Sequence, residues 1–544
     1  MAWPVRVTLA ASVVVFLAPA TLAQEHEHGA PRKIGTVHFA TSCSAAAQKE
    51  FDRAVALLHS FQFSLAIQGF NAALGADSSC VIAYWGIALS QWSNPFAPGL
   101  KTKAQLEAGR DAAARGIAAG AKTERERGYL LAVSKLYAGF DTVPQQARLL
   151  AYRDAMEQLA ANHPEDHEAQ IFYALSLSAS EEPTDKTYAS RLKAGAILEK
   201  LFREQPDHPG LAHYLIHTYD VPPLAPKALE AARRYSEIAP DTPHALHMPS
   251  HTFTRVGYWQ DSIASNRAAA ASARREGQTA EELHASDYMA YAYLQTAQDL
   301  NALRVLESLP EIAARFDPKV TVSGAAPPAA GYFALAAIPA RFALERRDWR
   351  RAASLELRQT PVPYADAIII FARGMGAARL HDAPGAAASL FALQDLRSRL
   401  EKAGERYWAG QVEIQRLEVE AWADLAAGRR EDALATMKSA AEMEDATEKS
   451  AVTPGPLAPA RELLGEMLLE LNEPARALEQ FEATLAKEPG RFRALYGAAH
   501  AAQLAGNRAA SRKYFAELLK VCDHADSDPR RPELLEASQA LAAD

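Results

Sequence analysis

The chain has 544 residues, a formal net charge of −8 and a pI near 6.1. Its Lys and Arg residues are scattered rather than pooled, so the basic footprint of a nucleic-acid binder is missing and no nucleic-acid partner is expected. With 49% apolar and 23% charged residues it is a folding chain rather than a disordered one, yet it is too long for a single compact core. A repeat array resolves that conflict, because each unit packs only on its neighbours and length can grow freely.

The N-terminus reads as an export signal. Arg6 precedes an apolar stretch from Val7 to Pro19, and Thr21-Leu22-Ala23 offers a small-residue cleavage site before Gln24. That stretch is shorter than the roughly 20 residues a membrane-spanning helix needs. No later segment is apolar enough to cross a membrane, so no integral membrane segment is expected after signal removal. Residues 1–23 are therefore expected to be a signal peptide and 24–45 a leader, with a periplasmic or secreted location. Gln24–Arg32, which holds His26 and His28, is expected to be disordered. In an oxidising compartment Cys43 and Cys80 are the candidate disulfide, since each precedes the equivalent helix of successive repeats, with Cys522 left free. No C-x-x-C occurs, which argues against a thiol redox site or an attached c-type haem.

Helix-period patterning runs through the rest of the chain, and no alternating β-branched run argues for a sheet. Helix pairs are expected around 129–161, 167–204, 210–238, 245–275, 283–309, 332–357, 365–402 and 413–444. The C-terminal register is the clearest: Leu464-Gly465, Ala477, Phe481 and Pro489 recur with Gly506 and Phe515, while Ala66 and Phe70 repeat the small–large pair near the start. Those residues resemble the tetratricopeptide repeat (TPR) family, with its roughly 34-residue helix–turn–helix unit. The resemblance implies an all-α, TPR-like α-solenoid whose concave groove receives a protein or peptide ligand. The expected divisions are an N-terminal array over 46–316, a linker over 317–331, middle repeats over 332–446, a second linker over 447–456 and C-terminal repeats over 457–544.

Catalytic motifs are absent. The segment Gly116–Thr123 lacks P-loop spacing, His167-Glu168 starts like a zincin motif but meets Ile171, and no G-x-S-x-G elbow or EF-hand loop occurs. Glu181-Glu182 and the Arg346–Arg351 run are read as solvated turns, and Trp85, Trp92 and Phe96 as core.

The histidines stand out. Seven of the sixteen (His208, His213, His217, His244, His247, His251 and His284) fall within 208–284. His213/His217 and His247/His251 are i,i+4 pairs, each on one face of a helix, and they are displaced by one 34-residue repeat. The expectation is a four-ring square on the concave face. Matching Ala297 to Gly257 at the turn then places His284 level with His244, Asp287 with His247 and Tyr291 with His251. Pro249 is expected to kink the helix between the second pair. Imidazoles at this reach suit a divalent transition metal, zinc or copper, with His213, His217, His244, His247, His251, His284 and Asp287 as candidate ligands. Asp220 or Asp287 would otherwise orient a ring from behind. A structural hydrogen-bond network and recognition of an acidic group remain the other readings. The segments 213–220 and 244–253 also resemble those of exported bacterial TPR proteins of unassigned function. The expected function is a protein-binding scaffold with a histidine-rich metal or ligand site. The alternative is a metal-dependent hydrolase or oxidase built on the same cluster.

Overall fold

The computed structural model describes residues 32–97, 99–320, 324–528 and 530–542, together with Met1 and Trp3. The rest of the signal-peptide reading over 1–23, and the leader up to residue 31, lie outside the described residues. Residues 33–544 form one compact unit. Among the described residues every regular element is a helix, from Ala45–His59 to Pro532–Ala542, and consecutive helices pair as antiparallel hairpins. The fold is thus an all-α, TPR-like solenoid, and none of these helices is long and apolar enough to cross a membrane.

The repeat identity lies in turn conformation and in size complementarity more than in residue type. Phe61, Gly257, Ala297, Arg347, His381, Gly428, Asn472 and Gly506 all sit in hairpin turns with positive φ, between 52° and 81°. A non-glycine residue pays a small penalty there, and the turn tolerates it because the flanking helices fix its geometry. Phe481 fills the groove between hairpins: a Cβ added to Gly465 or Gly497 would stand 2.9 or 2.4 Å from its ring. Phe70 does the same against Gly86, at 2.3 Å. These close approaches explain why small and large residues alternate at fixed spacing along the chain.

The described part of the expected leader and both expected linkers contain packed residues. In residues 33–44, Ile34, Val37 and Phe39 are buried, the Thr36 N–H donates to Asp207 O at 3.0 Å, and Phe39 lies 4.9 Å from the Tyr129 ring centroid. A disulfide joins Cys43 to Cys80, tying this arm to the first hairpin with their Cα atoms 4.8 Å apart. In the expected linkers, Ala325 and Ala326 of the first and Val452, Thr453 and Gly455 of the second are buried. Arg341, itself fully buried, explains the second linker's order by donating to Thr453 Oγ1 (2.6 Å), Gly455 O (2.9 Å) and Pro456 O (3.1 Å). The Glu181 side chain is likewise buried, holding Arg191, whose Nη1 donates to His217 O and Thr218 O. Arg347 is paired with Glu466 and Glu462 rather than solvated.

Candidate metal centre

Three inner helices carry the histidines: Pro209–Thr218, the Pro243–His247 and Pro249–Arg255 pair, and Thr279–Gln295. The middle helix divides at Pro249, which lacks the N–H that would bond one turn back, and Met248 between the two halves has helical dihedrals (φ −53°, ψ −36°).

Neighbouring inner helices are staggered by about one turn, and this decides which residues meet. Repeat-equivalent positions are 34 apart between the first two helices and 40 apart between the last two, but facing side chains are 31 and 37 apart. His213 therefore meets His244, with Nε2 to Nε2 at 3.1 Å, and Asp220 meets His251, with Oδ2 to Nδ1 at 3.0 Å. On the next helix Glu281 meets His244 at 2.9 Å, His284 meets His247 with centroids 4.5 Å apart, and Tyr288 meets His251 with centroids 4.9 Å apart. The expected square is replaced by two triads, His213/His217/His244 and His247/His251/His284, in each of which one nitrogen per ring lies within 4.8 Å of the others.

The same stagger removes two residues from the centre. Asp287 is not brought to either triad: its Oδ1 accepts from Arg341 Nε at 2.8 Å, so it fixes the clamp on residues 453–456. Tyr291 is turned toward Glu488 and Arg491. The open concave groove expected around the histidines is also corrected. All six rings are at most 7% exposed, because Phe96, Ala325, Ala326, Ala451 and Val452 from the packed segments close over them. Phe96, expected in the core, stacks on His217 at 4.1 Å. A void of about 20 Å³ remains between the triads, bordered by His217, His244, His251 and His284, and it is large enough for one small species.

Four rings are oriented from behind by acceptors. His213 Nδ1 donates to His59 O (2.6 Å), His247 Nδ1 to Asn266 Oδ1 (2.7 Å) and His251 Nδ1 to Asp220 Oδ2 (3.0 Å), while His244 Nδ1 faces Glu281 Oε1 (2.9 Å). The Asn266 amide is anchored in turn by its own donation to Ser262 O at 2.8 Å, which fixes its oxygen toward His247. Burial alone would raise the Asp220 carboxyl, but Lys449 and Arg255, bonded at 3.1 and 2.8 Å, outweigh it and hold Asp220 well below the usual carboxylate range. Asp220 is therefore a charged acceptor. Burial, reinforced by neighbouring rings, pushes His213, His217, His244, His247 and His284 well below the usual histidine range, and burial also lowers His251.

The consequence is chemical. His247 and His251 are neutral and both carry their proton on Nδ1, so their Nε2 atoms, 3.0 Å apart, present lone pair to lone pair. Two acceptors facing each other at that distance form an arrangement that a bound cation would satisfy. Two nitrogens bound at about 2.0–2.1 Å to one tetrahedral metal stand roughly 3.3 Å apart, close to the observed spacing. His217 Nε2 is also buried without a partner. The residues fit a transition metal held by imidazole nitrogen with oxygen acceptors behind it.

In a third cluster, His59/Glu168/His208, each Glu168 oxygen accepts one Nε2–H at 2.9 Å, Tyr214 OH meets His59 Nδ1 at 3.0 Å, and His208 Nδ1 is buried without a partner. Sequence reading missed Asn266, Glu281, Tyr288, His59 and Phe96. Glu281, Tyr288 and His284 carried a signal, being spaced by three and four residues on one helix. His59 and Phe96 come from more than a hundred residues away and carried none.

No family model matches the chain, and no curated protein matches it. Solved structures do match it in part. The chain is similar to YrrB, a TPR protein with an unusual peptide-binding site, at 18% identity over 36% of this chain and 89% of that one, with a TM-score of 0.20. It is also similar to the human IFIT1 dimer with m7Gppp-AAAA, at 12% identity over 88% of this chain and 96% of that one, with a TM-score of 0.34.

Proposed function

We propose that the chain is an exported helical-repeat binding protein that holds two transition-metal ions, zinc or copper, in paired three-histidine sites at its core. His213, His217 and His244 hold one ion, and His247, His251 and His284 hold the other. The observation that carries this reading is the His247–His251 contact, two Nε2 acceptors 3.0 Å apart with their Nδ1 protons committed elsewhere. The small void lined by His217, His244, His251 and His284 supports a site that residues of both triads share. An all-nitrogen set suits zinc or copper and disfavours calcium and magnesium, which demand oxygen. Such ions would supply Lewis acidity or, as copper, one-electron chemistry, while Asp220, Asn266 and Glu281 hold the rings in the ligating tautomer. The disulfide between Cys43 and Cys80 is in keeping with export. The inner cleft of the middle and C-terminal repeats is read as the groove for a protein or peptide partner.

The test is elemental analysis and calorimetric titration of chelator-stripped protein. Two equivalents of Zn²⁺ or Cu²⁺ per chain are expected, falling to one in a His247→Ala/His251→Ala variant, with a stability gain of about 3–4 kcal/mol at saturating metal. Metal-free native protein that takes up neither ion and gains no stability would sink the reading.

A further inference from the structure

Away from the histidines, the inner face of the solenoid opens into a cleft of about 460 Å³, within the range of small-molecule sites. One wall is apolar: Trp408 stacks on Tyr364 at 4.0 Å, beside Phe333, Ile368 and Phe371. The charged groups around the rim are mostly satisfied among themselves. Lys186 bonds Glu448 at 2.6 Å, Arg255 and Lys449 bond Asp220, and Arg461 and Lys487 bond Asp445.

Two carboxyls are left over. Glu444 lines the cleft and accepts only a backbone bond, from Ala460 N at 2.9 Å. Glu418 is 2% exposed, also lines the cleft, and its Oε1 has no hydrogen-bond partner. Gln415 adds a second buried acceptor, Oε1, without a donor. A buried acceptor left unmade is expensive, so such a set marks what the site is built to receive. Burial, and for Glu418 the charge of Glu444, pushes both carboxyls up, Glu444 to about 8.

We propose that this cleft binds a cationic organic group, an alkylammonium or guanidinium on an apolar or aromatic body, with Glu418 and Glu444 as its counter-charge and the Trp408 wall as its apolar seat. The inference rests on the reading of the inner cleft as the partner groove, and it names the chemistry that groove recognises. The cation comes either from a free amine or from a basic side chain of a peptide.

The experiment is calorimetric titration of the full chain with four probes: 2-phenylethylamine, its uncharged analogue 2-phenylethanol, benzoate, and the peptide acetyl-Gly-Lys-Gly-amide. Either amine-bearing probe is expected to bind at least tenfold tighter than the alcohol or benzoate, and which of the two binds tighter identifies the source. Glu418→Gln, which keeps shape and eases burial, is expected to lower that affinity at least tenfold with an unchanged melting temperature or a higher one. Alcohol or benzoate binding as tight as the amines overturns the charge inference and leaves the groove reading standing. No binding of any probe overturns both, and unchanged amine affinity in Glu418→Gln overturns the assigned site.

Discussion

Asn266→Ala tests the reasoning behind the metal centre without touching a ligand. Asn266 is fully buried, and its Oδ1 fixes the Nδ1 proton of His247 through a 2.7 Å bond. In the metal-free wild type this leaves the Nε2 atoms of His247 and His251 facing each other at 3.0 Å without a donor, at a cost of about 1–3 kcal/mol per unmade buried bond. Without the amide, His247 can move its proton to Nε2 and donate to His251, recovering about 1 kcal/mol. Losing the Asn266 bonds costs about the same, so the apo variant is expected within roughly 1 kcal/mol of wild type. Metal affinity moves the other way, because the favoured tautomer now blocks one ligand. A 10- to 100-fold weakening is expected, the usual effect of deleting an outer-shell partner. Chemical denaturation of apo protein and chelator competition of loaded protein give the two numbers. Unchanged metal affinity, or an apo protein weakened by several kcal/mol with its metal-induced gain intact, would refute the tautomer argument.

Other outcomes follow from the same structure. Six buried neutral histidines have folded pKa values below the unfolded value, so their stability is present above about pH 6.5 and is lost as pH falls through it; each adds up to about 1.4 kcal/mol per pH unit to the slope. Denaturation of apo protein at pH 7.5 and 5.5 should show the loss, and a flat profile would contradict the burial of neutral rings. Asp220→Asn strips the charge that holds Arg255, Lys449 and His251 together, and a loss of about 3–5 kcal/mol in urea titrations is expected for breaking a buried pair. Reducing the Cys43–Cys80 disulfide, which closes a 37-residue separation, should lower stability by about 2–4 kcal/mol without changing metal stoichiometry.

The solenoid was legible in the chain because a helical repeat writes its packing locally. Phe70, Phe481 and the small residues that meet them recur at fixed spacing, so hairpins at 167–204 or 413–444 could be placed from periodicity alone. The histidine pairs were legible for the same reason, since i,i+4 spacing on one helix survives any tertiary arrangement. What sequence could not supply is the stagger between inner helices. Repeat alignment pairs His247 with Asp287, but a one-turn offset sets His284 beside it and turns Asp287 to Arg341. Burial was equally illegible, because Phe96, Ala325 and Ala451 reach the rings from stretches whose Gly and Pro content reads as breaks in the array. Local sequence determined that this protein would be a helical array with facing histidines. Only the packing of distant segments decided that those histidines would be neutral, water-poor and aimed at one another, since solvent access and lone-pair direction depend on neighbours hundreds of residues away.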